Sequence, residues 1–189
     1  MSALDPRAPD DDGGTGYTGL AFRQCHPDHA SVAETIRLGA AFPSRFTPPG
    51  GRFGVLYVAL TPETAVAELH RRAEQLGVPL SALAPRAMLT LTVRLRRVLD
   101  LTEPTVRAEW GLDAAALGAD DHARCQEVAL AARADGYEAI RYPSAARSHP
   151  ADAPAHDAAD DNLAIFADRL HPGSDVRVVR HEPLVLDAV

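Results

Sequence analysis

Residues 88–95 (Met-Leu-Thr-Leu-Thr-Val-Arg-Leu) alternate without a break: Leu89, Leu91, Val93 and Leu95 face one way, Thr90, Thr92 and Arg94 the other. Successive side chains point to opposite faces only in a β-strand, so this segment is a half-buried strand. Nothing else in the chain restricts its fold as much. Whatever the chain builds must contain a sheet with an apolar layer against one face.

A second signal couples a strand to a helix. Residues 55–60 (Val-Leu-Tyr-Val-Ala-Leu) form an apolar run of strand length. Thr61 follows as a helix N-cap, Pro62 takes the first helical position, and Glu63 sits near the positive end of the helix dipole. Ala65, Val66, Leu69, Ala73 and Leu76 then share one side at 100° per residue, and Gly77 stops the helix. Further strands are expected at 20–23, 138–142, 163–166 and 176–179, with residues 98–101 extending the sheet. Further helices are expected at 104–112 and at 123–135, the latter closed by Gly136. Residues 39–53, with their prolines and glycines, read as a loop. Residues 1–18, rich in Asp, Gly, Pro and Thr, read as a flexible tail ahead of one domain over 19–189. Six or so strands with two or three helices between them give an α+β or mixed α/β domain.

Composition excludes several functions. With 26 Asp+Glu against 19 Lys+Arg, the formal net charge is −7. The pI near 5.5 argues against a general nucleic-acid binder, which needs a basic face to release counterions. No run approaches the ~18 apolar residues of a membrane span, and the N-terminus lacks an apolar targeting core, so neither membrane insertion nor secretion is expected. Cys25 and Cys125 form no CxxC pair; a zinc ribbon or dithiol site has no support, and a reducing cytoplasm is the default setting. All the basic residues are arginines. That excludes Schiff-base lysines and the P-loop lysine, and any anion bound through a cation meets the planar fork of Arg.

The acidic, His-bearing stretch 145–161 contains His149, Asp152, His156, Asp157, Asp160 and Asp161, all types that bind divalent metals. It has no apolar residue larger than Ala or Pro to fix a ligand frame and matches no metal-ligand spacing, so it reads as a solvated loop and no metal is expected. Ser144 lacks the GxSxG elbow of a hydrolase. The sharpest group is Arg45, Tyr57 and Glu68, spread over loop, strand and helix. Each also has an ordinary reading: a surface cation, a core aromatic with a satisfied hydroxyl, and an i,i+4 partner of Arg72.

The segment from Phe42 to Glu68 (FPSRFTPPGGRFGVLYVALTPETAVAE) resembles the core of the RES domain family. That family's pattern is an Arg-aromatic-Asn-Pro loop, a "VLYLA" strand and a helix carrying the Glu within "ALxE". The family's Ser is matched by Ser144 in Tyr-Pro-Ser-Ala, a later Asn by Asn162 in DNLAIF, and its opening strand by Phe22-Arg23. The resemblance covers roughly residues 19–180 in the same order. The chain departs from the pattern at Phe46-Thr47, where much of the family has Trp-Asn.

The resemblance implies an ADP-ribosyltransferase-like fold: a mixed or antiparallel β-sheet core with flanking helices, hence α+β. It also implies the toxin of a type II toxin–antitoxin pair, neutralised by an Xre-type antitoxin, which consumes NAD+ as substrate by hydrolysis or by phosphorolysis with inorganic phosphate. The alternative it implies is a mono-ADP-ribosyltransferase acting on a specific cellular protein. Carried onto this chain, Glu68 stabilises the oxocarbenium-like ribose or holds its hydroxyls. Arg45 and Arg23 clamp the pyrophosphate. Tyr57 stacks on nicotinamide or packs the ribose, and Ser144 bonds the nicotinamide-ribose end with Asn162 close by. Nicotinamide leaves as a neutral molecule, so no strong general acid is needed.

Overall fold

The computed structural model describes residues 15–50, 53–147 and 160–186. Strand β1 (Thr15–Cys25) begins inside the stretch expected to be a tail. Its polar first residues are held through the main chain, which pairs antiparallel with the alternating strand from Thr15 opposite Val98 to Cys25 opposite Ala87. Backbone pairing of this kind needs no apolar side chain, which is why composition misplaces the strand's start. Helix α1 (Val32–Ala41) is capped by Ser31, whose hydroxyl accepts from the Glu34 N–H. It takes in the first residues of the expected 39–53 loop.

Strand β2 (Leu56–Ala59) and helix α2 (Pro62–Leu76) form the expected unit. The Thr61 hydroxyl accepts from the Thr64 N–H, and Gly77 closes the helix at φ 65°. A β-carbon at that dihedral is strained, so glycine is the natural stop. Ala65, Leu69 and Ala73 are buried as the periodicity requires, whereas Leu76 stands exposed in the last turn. Strand β3 (Arg86–Asp100) takes in both the alternating segment and residues 98–100. Short helices α3 (Pro104–Glu109) and α4 (Ala114–Gly118) lead to α5 (Ala123–Ala134). Strands β4 (Ala139–Pro143), β5 (Asp161–Ile165) and β6 (Asp175–Leu184) complete the sheet.

The six strands run β1-β2-β5-β4-β3-β6, and β1 also pairs with β3. The first five therefore close into a ring, with β6 added outside β3. Only β3–β4 is parallel, so the sheet is mixed. Alternation sorts the side chains into two cores. Leu56, Val58, Leu163 and Ile165 point into the ring, where they meet Leu89, Leu91, Val93 and Leu95. Val55, Ile140, Tyr142, Ala164 and Phe166 point the other way and pack on Cys125, Val128, Ala129 and Ala132 of α5. Cys125 is thus a buried core thiol.

Two buried carboxylates brace the ring. Glu138 accepts from the backbone N–H groups of Arg96 (2.5 Å), Arg97 (3.0 Å) and His171 (2.6 Å). Asp161 pairs with Arg141 at 2.6 Å. Within the acidic loop, Asp160 also has a cation, Arg147, at 2.8 Å. Residues 148–159, with His149, Asp152, His156 and Asp157, lie outside the described residues.

Candidate active site

Tyr142 and Ala59 both pair with Asn162, so the C-terminal ends of β2 and β4 and the start of β5 meet at one end of the ring. The residues that follow these strands, and helix α2 leaving β2, therefore converge there. Glu68 is on α2, Ser144 just beyond β4 and Asn162 on β5. One oxygen of Glu68, Oε1, accepts from the Ser144 hydroxyl (2.7 Å) and from the Asn162 side-chain amide (2.8 Å). The ordinary reading of Glu68 as the partner of Arg72 gives way: among the described residues no ion pair joins them, and the carboxylate is aimed across α2 at the strand ends. Two donors hold it in one orientation.

Arg45 is presented by a tight turn. Ser44 and Thr47 exchange backbone hydrogen bonds at 3.0 and 3.1 Å, leaving residues 45 and 46 at the tip. Phe46 is fully buried edge-on to Tyr142, so the neighbouring Arg45 projects into the open space. The Tyr57 hydroxyl pins the turn: it receives the Phe46 N–H (2.8 Å) and the Ser44 hydroxyl (2.9 Å) and lies 3.1 Å from the Thr47 hydroxyl. Gln126 donates to the Ser44 carbonyl from α5. Phe46 and Thr47, where the chain departs from the family pattern, are thus turn scaffold. The Tyr57 hydroxyl is spent on the turn that carries Arg45; burial pushes its pKa up, against the hydrogen bonds to Ser44, Thr47 and Phe46.

Arg23 enters from β1, its guanidinium donating to the Tyr57 carbonyl at 2.7 Å. Burial holds its pKa below the ordinary arginine value. Arg23 Nε and Arg45 Nη1 are buried without a hydrogen-bond partner, and among the described residues neither has an acidic group in salt-bridge range. Buried N–H groups on cations are costly to leave without an acceptor.

A cleft of about 620 Å³ joins these parts, lined by Arg23, Arg45, Tyr57, Glu68 and Asn162 together. Ser144 reaches it through its bond to Glu68. The structure thus brings Arg23, Arg45, Tyr57, Glu68 and Asn162 to one cleft, with Ser144 buried behind Glu68 and not lining it. Sequence reasoning missed Tyr142, Arg71, His122 and Arg86, which also line it. Burial pushes the Tyr142 hydroxyl pKa well above its ordinary value, with Tyr57 and Glu68 adding to the effect; burial and Arg45 lower that of His122. Arg71 is tied to the Ala145 carbonyl at 2.7 Å and so holds the chain just past Ser144. Only Tyr142 left a usable signal, its place two residues before Ser144. Among the described residues no cluster of His, Cys, Asp and Glu suits a metal, and no helix is long and apolar enough to cross a membrane.

Comparison with known proteins bears on the family and the fold. The sequence profile of the RES domain matches residues 20–187. No curated protein matches the chain. Among solved structures, one chain of the M. tuberculosis MbcT–MbcA toxin–antitoxin complex superposes with a TM-score of 0.75 at 22% identity, over 90% of this chain and 86% of that one. The α+β fold with an ADP-ribosyltransferase-like sheet core is the shared feature.

Proposed function

The chain belongs to the RES domain family, and on that premise we propose that it cleaves the nicotinamide–ribose bond of NAD+. The observation that carries this reading is the division of the cleft into two chemistries. At one end, Ser144 and Asn162 fix a carboxylate. Elsewhere in the same cleft, Arg23 and Arg45 present buried N–H groups with no acceptor. A dinucleotide has the matching halves: a ribose that becomes cationic as nicotinamide leaves, and a diphosphate.

In this reading Glu68 stabilises the developing oxocarbenium charge at the ribose. Both hydrogen bonds run to Oε1, so Oε2 is the oxygen presented to the sugar. Ser144 and Asn162 are positioning residues that keep the carboxylate aimed. Arg23 and Arg45 hold the diphosphate, which anchors the ribose against Glu68. The acceptor of the ADP-ribosyl group is water or inorganic phosphate, either small enough to reach the ribose C1 through an open cleft. NAD+ is the substrate in this reading.

The biological role we assign is that of a cytoplasmic toxin restrained by an Xre-type antitoxin. The fold shared with a chain of the MbcT–MbcA complex and the family membership support this role. The test is incubation of the purified protein with NAD+, with and without phosphate, followed by proton and phosphorus NMR. Nicotinamide release is expected, with ADP-ribose or its 1″-phosphate naming the acceptor. Intact NAD+ in both conditions would overturn free NAD+ consumption and favour transfer of ADP-ribose to a protein.

A further inference from the structure

Arg86 opens β3, and neither the family pattern nor the sequence gives it a part. Its side chain lines the same cleft as Arg23 and Cys25. Cys25 pairs with Ala87, so Arg86 lies one residue beyond the paired end of β1, three positions along β3 from Leu89, the partner of Arg23, and its charge is among those that act on Arg23. Arg86 Nε, like Arg23 Nε, is buried and has no hydrogen-bond partner. Among the described residues no acidic group pairs with either cation. The groups that act on Arg23 are Cys25, Tyr57, Tyr142 and Arg86, and no carboxylate is among them.

Two guanidiniums lining one cleft repel each other, the more so where water is excluded. An anion between them reverses its sign. One planar fork matches one phosphoryl group in two hydrogen bonds, and two forks match two adjacent phosphoryl groups. We propose that Arg86 and Arg23 together form a diphosphate pocket, so that the cleft selects ligands with two linked phosphoryl groups over monophosphates. Arg86 is then a specificity-determining residue, and Arg45 supplies a further N–H from the turn. This inference rests on the NAD+ reading of the same cleft but makes a separate statement about which part of the ligand Arg86 holds.

Calorimetric titration of the full chain with ADP, AMP and inorganic pyrophosphate tests it. Wild-type protein is expected to bind ADP at least about tenfold more tightly than AMP, the worth of one charge-assisted hydrogen bond, and to bind pyrophosphate alone. Arg86→Gln is expected to remove that preference by weakening ADP about ten- to a hundredfold and AMP much less. Arg86→Lys, which keeps the charge but loses the fork, should fall between. Loss of a merely structural contact would weaken ADP and AMP alike, and that result overturns the proposal. So does a wild-type protein without preference, whether or not the variants fold. Nicotinamide release is followed separately. Unchanged ADP preference and unchanged KM for NAD+ in Arg86→Gln would overturn the pocket and leave the NAD+ reading standing. An Arg86-dependent preference in a protein that leaves NAD+ intact would do the reverse.

Discussion

At the residue scale the site depends on side chains that hold other side chains. Ser144 and Asn162 donate to one oxygen of Glu68, and truncating either frees the carboxylate to rotate away from the ribose. Ser144→Ala and Asn162→Ala are each expected to lower nicotinamide release about ten- to a hundredfold, close to what one preorganised donor contributes. The loss should appear in kcat more than in KM, as steady-state rates will show. Tyr57 is a different case. Its hydroxyl meets three groups of one turn, so Tyr57→Phe leaves the buried Phe46 N–H without an acceptor. That should cost about 1–3 kcal/mol of stability, read as a lower urea midpoint with an unchanged slope, and should weaken NAD+ binding through Arg45. A variant as stable as wild type would contradict the pinning role.

At the element scale, two close fits set the frame. Helix α1 crosses so near Gly54 that a β-carbon there would lie 2.1 Å from the Ile36 carbonyl oxygen. Gly54→Ala must push backbone aside and is expected to cost at least about 2 kcal/mol, within the range of an overpacked core; thermal unfolding measures it. Glu138 ties β3 to the turn after β5. Burial alone would raise its pKa, but the Ser174 hydroxyl beside it and the N–H groups of His171, Arg97 and Arg96 together hold it below the ordinary value. A carboxyl depressed on folding adds stability above its unfolded pKa, near 4.3. That stability is lost as the pH falls through the lower folded value. Unfolding midpoints should therefore drop steeply below about pH 4, and Glu138→Gln should be less stable at pH 7 and show a flatter acid limb. A variant with the wild-type acid limb would contradict this.

What was legible in the sequence follows the same division. Elements with a local cause were readable: the alternation of 89–95, the Thr61-Pro62 cap, and the glycine stops at 77 and 136. Elements held by partners distant in sequence were not. The polar start of β1 exists because β3 offers a backbone ladder, and composition alone made it a tail. Helix α1 did leave a local signal, Ser31 three residues before Glu34, in a stretch the sequence reading passed over. At the site, Arg45, Tyr57 and Glu68 were found through a family pattern. Their actual partners depend on ring closure, which no local window contains. Arg86 left no signal, since its significance is the absence of an acidic neighbour in space.

At the scale of the whole molecule, the ring gathers three strand ends and one helix around a fixed carboxylate, and β1 and β3 bring to the same cleft Arg23 and Arg86, which have no acidic partner among the described residues. The two halves should therefore be separable. On the proposed reading, binding belongs to the arginines and cleavage to Glu68. The most direct measurement is a paired one on Glu68→Gln, which keeps the shape of the side chain and removes its charge: the dissociation constant for NAD+ by calorimetry and the rate of nicotinamide release by proton NMR. The account predicts binding within about threefold of wild type and a rate reduced by about a thousandfold, the scale of a lost electrostatic stabiliser. A variant that still releases nicotinamide within tenfold of the wild-type rate, or one that loses binding and cleavage together, would contradict it.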